Sequence, residues 1–301
     1  MSIPILFGLN ASEAAFELLR QKRIHVDRLK CAPTPSELDR GKSAGPVYVH
    51  FPLKVGLGIG DAVHAHNGKR VNWFRVEQLL RETDTPHVNL HLWPAPKDYP
   101  QIPLQTANPR DFDFLVEQTL RDVRQIVRRF GGDRVVVEND FDKGGTRLRP
   151  AYQPSFIRSI VQESKCGLLL DLSHARMAAH ALEMKTPQYL AALPMDRLCE
   201  MHFNGAHIIE GRWIELLRRG KISEATIQHL AGKSLDHLPL AEADWELLEW
   251  SLAKIASGQW RSPWIATYEY GDFLALRVAL TEIEVLATQT PRLAALIKRA
   301  R

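Results

Sequence analysis

Residues 167–174 read Gly-Leu-Leu-Leu-Asp-Leu-Ser-His, a short unbroken apolar run that stops on an acid and an imidazole. Residues 134–140, Arg-Val-Val-Val-Glu-Asn-Asp, repeat the plan. Runs this uniformly apolar are how strands buried on both faces of a parallel sheet look. Outward from these two, eight such runs can be counted, at 5–10, 27–32, 47–51, 88–93, 134–140, 167–174, 198–205 and 264–271. Amphipathic stretches at 11–22, 71–82, 111–130, 153–164, 186–193, 243–256 and 273–288 lie between or after them. In the 111–130 stretch, Phe114, Leu115, Leu120, Val123, Ile126 and Val127 share one stripe. Arg121, Arg124 and Arg128 share another, read as a solvated face. The alternation predicts an α/β fold, a single (β/α)8 TIM barrel over residues 1–301, with a doubly wound open sheet as the alternative. The stretch 206–240 is unusually long for a connection and is read as an insertion over the active face.

Composition narrows the classes. Of 301 residues, 45% are hydrophobic and 25% charged, with 18 Gly and 18 Pro, which excludes collagen-like, low-complexity and disordered chains. No apolar run approaches the ~18 residues that a bilayer crossing needs, and the N-terminus lacks the marks of a signal peptide. Cys31, Cys166 and Cys199 are too few and too scattered for a disulfide framework, so a cytoplasmic location is expected. With 39 Lys+Arg against 35 Asp+Glu, the net charge of +4 does not call for a nucleic-acid partner, nor does anything call for a membrane.

The chemistry lies in how the runs end. In a barrel the active site is built at the C-terminal ends of the strands. The third run ends in His50, the fourth in His91, and the fifth in Glu138-Asn139-Asp140. The sixth ends in Asp171-Leu172-Ser173-His174, the seventh carries His202 and Asn204, and the eighth Glu269; Asp236-His237 lies in the long connection. Any one of these has a structural explanation, since a strand-end His often only hydrogen-bonds and a strand-end Asp often caps the next helix. Six successive strands ending this way point instead to metal ligands: His50, His91, Glu138, Asp171, His174, His202, Asp236, His237 and Glu269. Mixed imidazole and carboxylate donors suit iron, zinc or manganese, and this many imply two or three divalent ions with bridging carboxylates. Asp171-x-x-His174 is read as a strand turning into its loop with both side chains on one cluster. Glu138, Asp171 and Glu269 are the candidate catalytic carboxylates. Asn139, Asn204 and the cations of the loop after the fifth run, Lys143, Arg147 and Arg149, are candidates for binding substrate, arginine being suited to bidentate contact with an anion.

The ordered set His50, His91, Glu138, Asp171-x-x-His174, His202, His237 and Glu269 resembles the xylose-isomerase-like TIM-barrel superfamily, which includes the endonuclease IV family with its trinuclear zinc site. Residues 171–179 (DLSHARMAA), 189–205 (YLAALPMDRLCEMHFNG) and 236–250 (DHLPLAEADWELLEW) look most like the multinuclear non-haem iron-dependent oxidative enzymes, a family formerly catalogued as a domain of unknown function. The resemblance runs from about 47 to 272. It implies a di- or tri-iron centre that uses O2 to modify a peptide or other small substrate, with a partner protein that can present it. Carried over by position, His50, His91, Glu138, Asp171, His202 and Glu269 would be ligands. The usual Asn-Asn after the sixth-strand Asp is here Ser173-His174, and an Asp-x-His spacing is compressed to Asp236-His237, so either of that pair can be the donor. The alternatives are a sugar or sugar-phosphate isomerase or epimerase, and an endonuclease IV-like phosphodiesterase, toward which His174 leans.

Overall fold

The computed structural model describes residues 4–142 and 144–300. The strands are β1 (Leu6–Asn10), β2 (Arg28–Cys31), β3 (Val47–Val49), β4 (Leu53–Val55), β5 (Val63–His64), β6 (Val88–Leu92), β7 (Val135–Glu138), β8 (Gly167–Asp171), β9 (Leu198–Phe203), β10 (Gly205–Ile208), β11 (Ser234–Leu238) and β12 (Ile265–Tyr268). All eight runs expected from sequence are therefore strands. β4, β5, β10 and β11 add to them. The chain divides into two compact units, one comprising the chain to Tyr48, His202–Gly258 and everything from Trp264, the other Val49–Met201 with Gln259–Pro263. Among the described residues no helix is long and apolar enough to cross a membrane, and all three cysteines are buried and free.

In the first unit β1 lies parallel between β2 and β12, with Leu9 opposite Leu29 and Tyr268. Gly8 is needed there because a Cβ would collide with the Thr267 hydroxyl. The long connection is structured. β10 and β11 pair antiparallel, and the helices Arg212–Arg219 and Glu224–Leu230 bury Trp213, Leu217 and Ile227 with Ile209, Leu238 and Leu280. That segment thus carries a small core of its own.

In the second unit β4, β6, β7 and β8 are parallel neighbours, and β5 folds back antiparallel on β4. Val135, Val136, Val137, Leu168, Leu169 and Leu170 are wholly inaccessible, as their unbroken apolar runs predict. The long helix Pro109–Phe130 starts on an Asn108 cap and buries Leu115, Leu120, Val123 and Ile126. Arg121, Arg124 and Arg128 face solvent, whereas Phe114 of the expected apolar stripe is 40% exposed. The buried stripe contains instead an acid, Asp122, whose carboxylate accepts the N–H groups of Gly56, Leu57, Gly58 and Gly60 at 2.6–3.0 Å. Gly56, Gly58 and Gly60 all have positive φ, a backbone that folds the N–H groups inward and that side chains resist.

Two departures from expectation have a visible cause. The sixth run ends at Asp171, and helix Leu172–Ala181 begins at once, because the Asp171 carboxylate caps it by accepting the His174 N–H at 2.8 Å. His174 therefore stands in the first turn of a helix, not on a loop. The expected helix 273–288 is broken into Ala275–Leu280 and Ile283–Arg299. At the break the Tyr270 hydroxyl donates to the Leu280 carbonyl at 3.2 Å and accepts the Glu282 N–H at 2.7 Å.

Candidate metal centre

In the second unit, strand register sets the first part of the site. Side chains opposite one another in neighbouring parallel strands leave the same face of the sheet, and His91 stands opposite Glu138. The chain leaving β3 carries His50 beside them. Its position is fixed by Asn89, whose amide oxygen accepts the Phe51 N–H at 2.6 Å while its nitrogen donates to the Phe51 carbonyl at 2.8 Å. The Nε2 atoms of His50 and His91 are 3.3 Å apart. Oε2 of Glu138 lies 3.2 Å from His91 Nδ1 and 3.6 Å from His50 Nε2. The other oxygen of Glu138 lies 3.4 Å from His174 Nδ1, and His174 Nε2 lies 3.8 Å from Asp171 Oδ2. The carbonyl of Asn139, 3.0 Å from His174 Nδ1, accepts a hydrogen bond from an Nδ1–H, the tautomer that leaves Nε2 with its lone pair.

Two donor sets result, His50/His91/Glu138 and Glu138/Asp171/His174, each with its ligand atoms within 4.8 Å of one another. They share Glu138. Donors bound at about 2.1 Å to one ion stand roughly 3–3.5 Å from each other, which is the spacing of the imidazole nitrogens here. A carboxylate with one oxygen toward each set is the arrangement of a bridging ligand. This donor chemistry fits mixed nitrogen and oxygen coordination of divalent transition metals.

The first unit holds the remaining predicted donors. Glu269 is buried, with Oε1 2.9 Å from His202 Nδ1 and Oε2 3.7 Å from His237 Nε2. Lys30 also pairs with it. Burial alone would push the Glu269 carboxyl up, but His202, Lys30 and His237 hold it well below the usual carboxylate range. Nε2 of His202 lies 3.5 Å from the hydroxyl of fully buried Tyr48, itself 2.7 Å from Thr267 Oγ1. His237 has φ +56°, a left-handed backbone unusual for a residue with a side chain. Its N–H donates to Asn204 Oδ1 at 2.8 Å. Burial outweighs Asp236 and Glu269 and pushes the His237 ring down to about 3, so it stays neutral, as a ligand must. Asp236 has one oxygen 2.7 Å from Arg277 Nη2.

Several expected substrate contacts are otherwise engaged. Arg147 is fully buried, its guanidinium doubly bonded to Asp140 at 2.6 and 3.0 Å and stacked on Trp93. A guanidinium that has lost its water needs such a partner, so Arg147 is not an open clamp. Asn139 spends its amide on the backbone of one residue, accepting from Asp171 N–H at 2.8 Å and donating to Asp171 C=O at 2.9 Å, which locks β7 to β8 at the donors. Asn204 likewise holds the His237 backbone. Arg149 is half-buried and opens the short helix Arg149–Tyr152, and Lys143 lies outside the described residues. Sequence reading passed over Lys30, Lys54, Tyr48 and Glu200, whose carboxylate is within 4.8 Å of a His50 nitrogen. A lone lysine in a buried strand was the available signal for the first two; nothing local marks Tyr48.

A family model described as RiPP precursor modification enzyme MbnB/TglH/ChrH matches residues 30–237. A UPF0276 protein of Neisseria meningitidis serogroup C is 27% identical over 159 residues, covering 49% of this chain and 56% of the relative. Another UPF0276 protein, from Anaeromyxobacter sp., is 30% identical over 101 residues, covering 33% of this chain and 35% of the relative. The chain thus spans about half the length of the first of these relatives. Among solved structures, a xylose isomerase domain containing protein of Salmonella typhimurium superposes with TM-score 0.53 at 15% identity, over 99% of each chain. A xylose isomerase-like TIM barrel/4-hydroxyphenylpyruvate dioxygenase fusion protein gives 0.54 at 15% identity, over 99% of this chain and 44% of that one. At these identities the likeness speaks to fold alone, an α/β barrel of the xylose-isomerase-like kind.

Proposed function

Because the chain belongs to the RiPP precursor modification enzyme family MbnB/TglH/ChrH, we propose that it is a cytoplasmic, multinuclear iron enzyme that oxidises a peptide substrate, which a partner protein can present. We read it as a (β/α)8 barrel whose ions are held by His50, His91, Glu138, Asp171, His174, His202, His237 and Glu269. Asp236 is engaged by Arg277, which favours His237 as the donor of that pair. The observation that carries the proposal is the sharing of Glu138 between two donor sets. When bound, the ions would supply open coordination positions for substrate and O2 and the electrons that O2 takes up.

The protein's own part is to hold these donors before any ion arrives. The Asn139 clamp fixes the Asp171 backbone, the helix cap fixes one Asp171 oxygen and turns the other toward His174, and the Asn139 carbonyl sets the His174 tautomer. Glu138, Asp171 and Glu269 are the groups that can move a proton at the centre.

The test is elemental analysis of protein purified without oxygen or chelators, with absorption spectra taken before and after air is admitted. Two or three irons per chain and an oxygen-dependent spectral change are expected. Stoichiometric zinc or manganese with no response to oxygen would overturn the oxidative reading and favour sugar isomerisation or phosphodiester hydrolysis.

A further inference from the structure

The row of side chains that contains His91 and Glu138 has a third member. Lys54 of β4 stands opposite His91 in register, so Lys54, His91 and Glu138 leave the same face of three successive parallel strands. Two residues beyond His91 on the same side is Trp93, and the Lys54 ammonium stands 3.4 Å from the centre of its ring. The Arg147 guanidinium stacks on that ring too.

The two cations differ in one respect. Arg147 is neutralised by Asp140 through two hydrogen bonds. Lys54 makes no ion pair and no side-chain hydrogen bond among the described residues; its contact is the face of Trp93. Asp98 and Asp140 act on it only from a distance. A half-buried ammonium with three donors and no acceptor retains its capacity for a charge-assisted bond. A π-face steadies the charge without using a donor.

We propose that Lys54 is the group that binds a carboxylate of the substrate, one strand over from His91. This rests on reading His50, His91 and Glu138 as metal ligands. A substrate anchored by its carboxylate on Lys54 would lie along the row and present its reacting end at the His91–Glu138 pair. Burial and the neighbouring Arg147 and Lys97 push the Lys54 amine down to about 8, which agrees with an ammonium lacking a resident counter-charge.

The test uses the full chain as purified and after metal removal, with N-acetylglycine as the carboxylate probe and N-acetylglycinamide as its neutral match. Binding is followed by ligand-observed NMR at pH 7, and metal content is read on the same samples. The wild type should bind the acid and not the amide. Lys54→Met should weaken binding of the acid by about tenfold or more, while Lys54→Arg, which keeps the charge, stays within a few fold. Near-UV circular dichroism and unchanged metal content would show that Lys54→Met is folded. Equal binding of acid and amide, binding to neither, or wild-type affinity in Lys54→Met would overturn the proposal. Loss of acid binding in Lys54→Met from a protein that never holds metal would sustain the carboxylate site and sink the metal reading, so the two failures are distinct.

Discussion

His237 shows at the scale of one residue how this chain places a donor. A left-handed histidine is disfavoured by about 1–2 kcal/mol and persists only when its surroundings dictate it. Here the dictating contact is Asn204, which accepts the His237 N–H at 2.8 Å. Asn204→Ala should therefore lower stability by about 1–3 kcal/mol, as an urea titration would read, and loosen metal. Asn204→Asp, which keeps the acceptor, should recover most of both. Lys54 carries the pH dependence of carboxylate binding. Its amine is pushed down to about 8, first by burial, then by Arg147 and Lys97, against Asp140 and Asp98. The charged form is thus intact below about 8 and lost above it, while a carboxylate probe stays ionised throughout. Affinity for N-acetylglycine should be flat from pH 6 to 7 and about tenfold weaker at pH 9; a profile level to pH 9 would exclude Lys54 as the binding group. The convergence of strand-end residues such as His50, His91 and Glu138 could be read in the sequence because a polar residue closing a buried strand has few places to point. The engagement of Arg147 by Asp140 could not, since which cation finds which acid is decided in three dimensions.

At the scale of elements, the apolar runs fixed the strands, and the ends of elements are where reading failed. The Asp171 carboxylate caps a helix with one oxygen and turns the other toward His174, so a structural role does not remove it from the cluster. The break between Leu280 and Ile283 depends on the Tyr270 hydroxyl from a distant strand, which no local pattern announces. Asp122 is the plainest case of an element tied by a residue that periodicity would assign to solvent. Four N–H groups of the loop Gly56–Gly60 converge on its carboxylate. Asp122→Ala removes the acceptor and leaves those donors unmatched in a buried setting, so a loss of about 3 kcal/mol or more is expected. Faster amide exchange at Gly56, Gly58 and Gly60 should accompany it. Asp122→Asn retains one oxygen and should lose less; no measurable loss in Asp122→Ala would show that the carboxylate does not hold the loop.

For the whole molecule, a crowded donor set is a liability that a bound ion removes. Glu138, Asp171, Glu200 and Glu269 are all buried, each at most 4% exposed. Burying carboxylates costs desolvation and opposes folding, and ions that bind only the native chain stabilise it by mass action. At free metal a thousand times above the dissociation constant the gain is about 4 kcal/mol, which for a chain of this length is several degrees in Tm. Calorimetry should therefore show a lower Tm after chelation and recovery when ferrous ion is returned without oxygen. Glu138→Gln is the discriminating variant. Because Glu138, alone among the described residues of its unit, belongs to both of that unit's donor sets, its substitution should remove more metal than His91→Ala, which spoils one set. The same substitution takes away a buried charge, so Glu138→Gln without metal should melt at or above the metal-free wild type while gaining little from added ferrous ion. If Glu138→Gln instead kept full metal content and the wild-type response to chelator, Glu138 would not be a shared ligand, and a two-set centre built around it would be wrong.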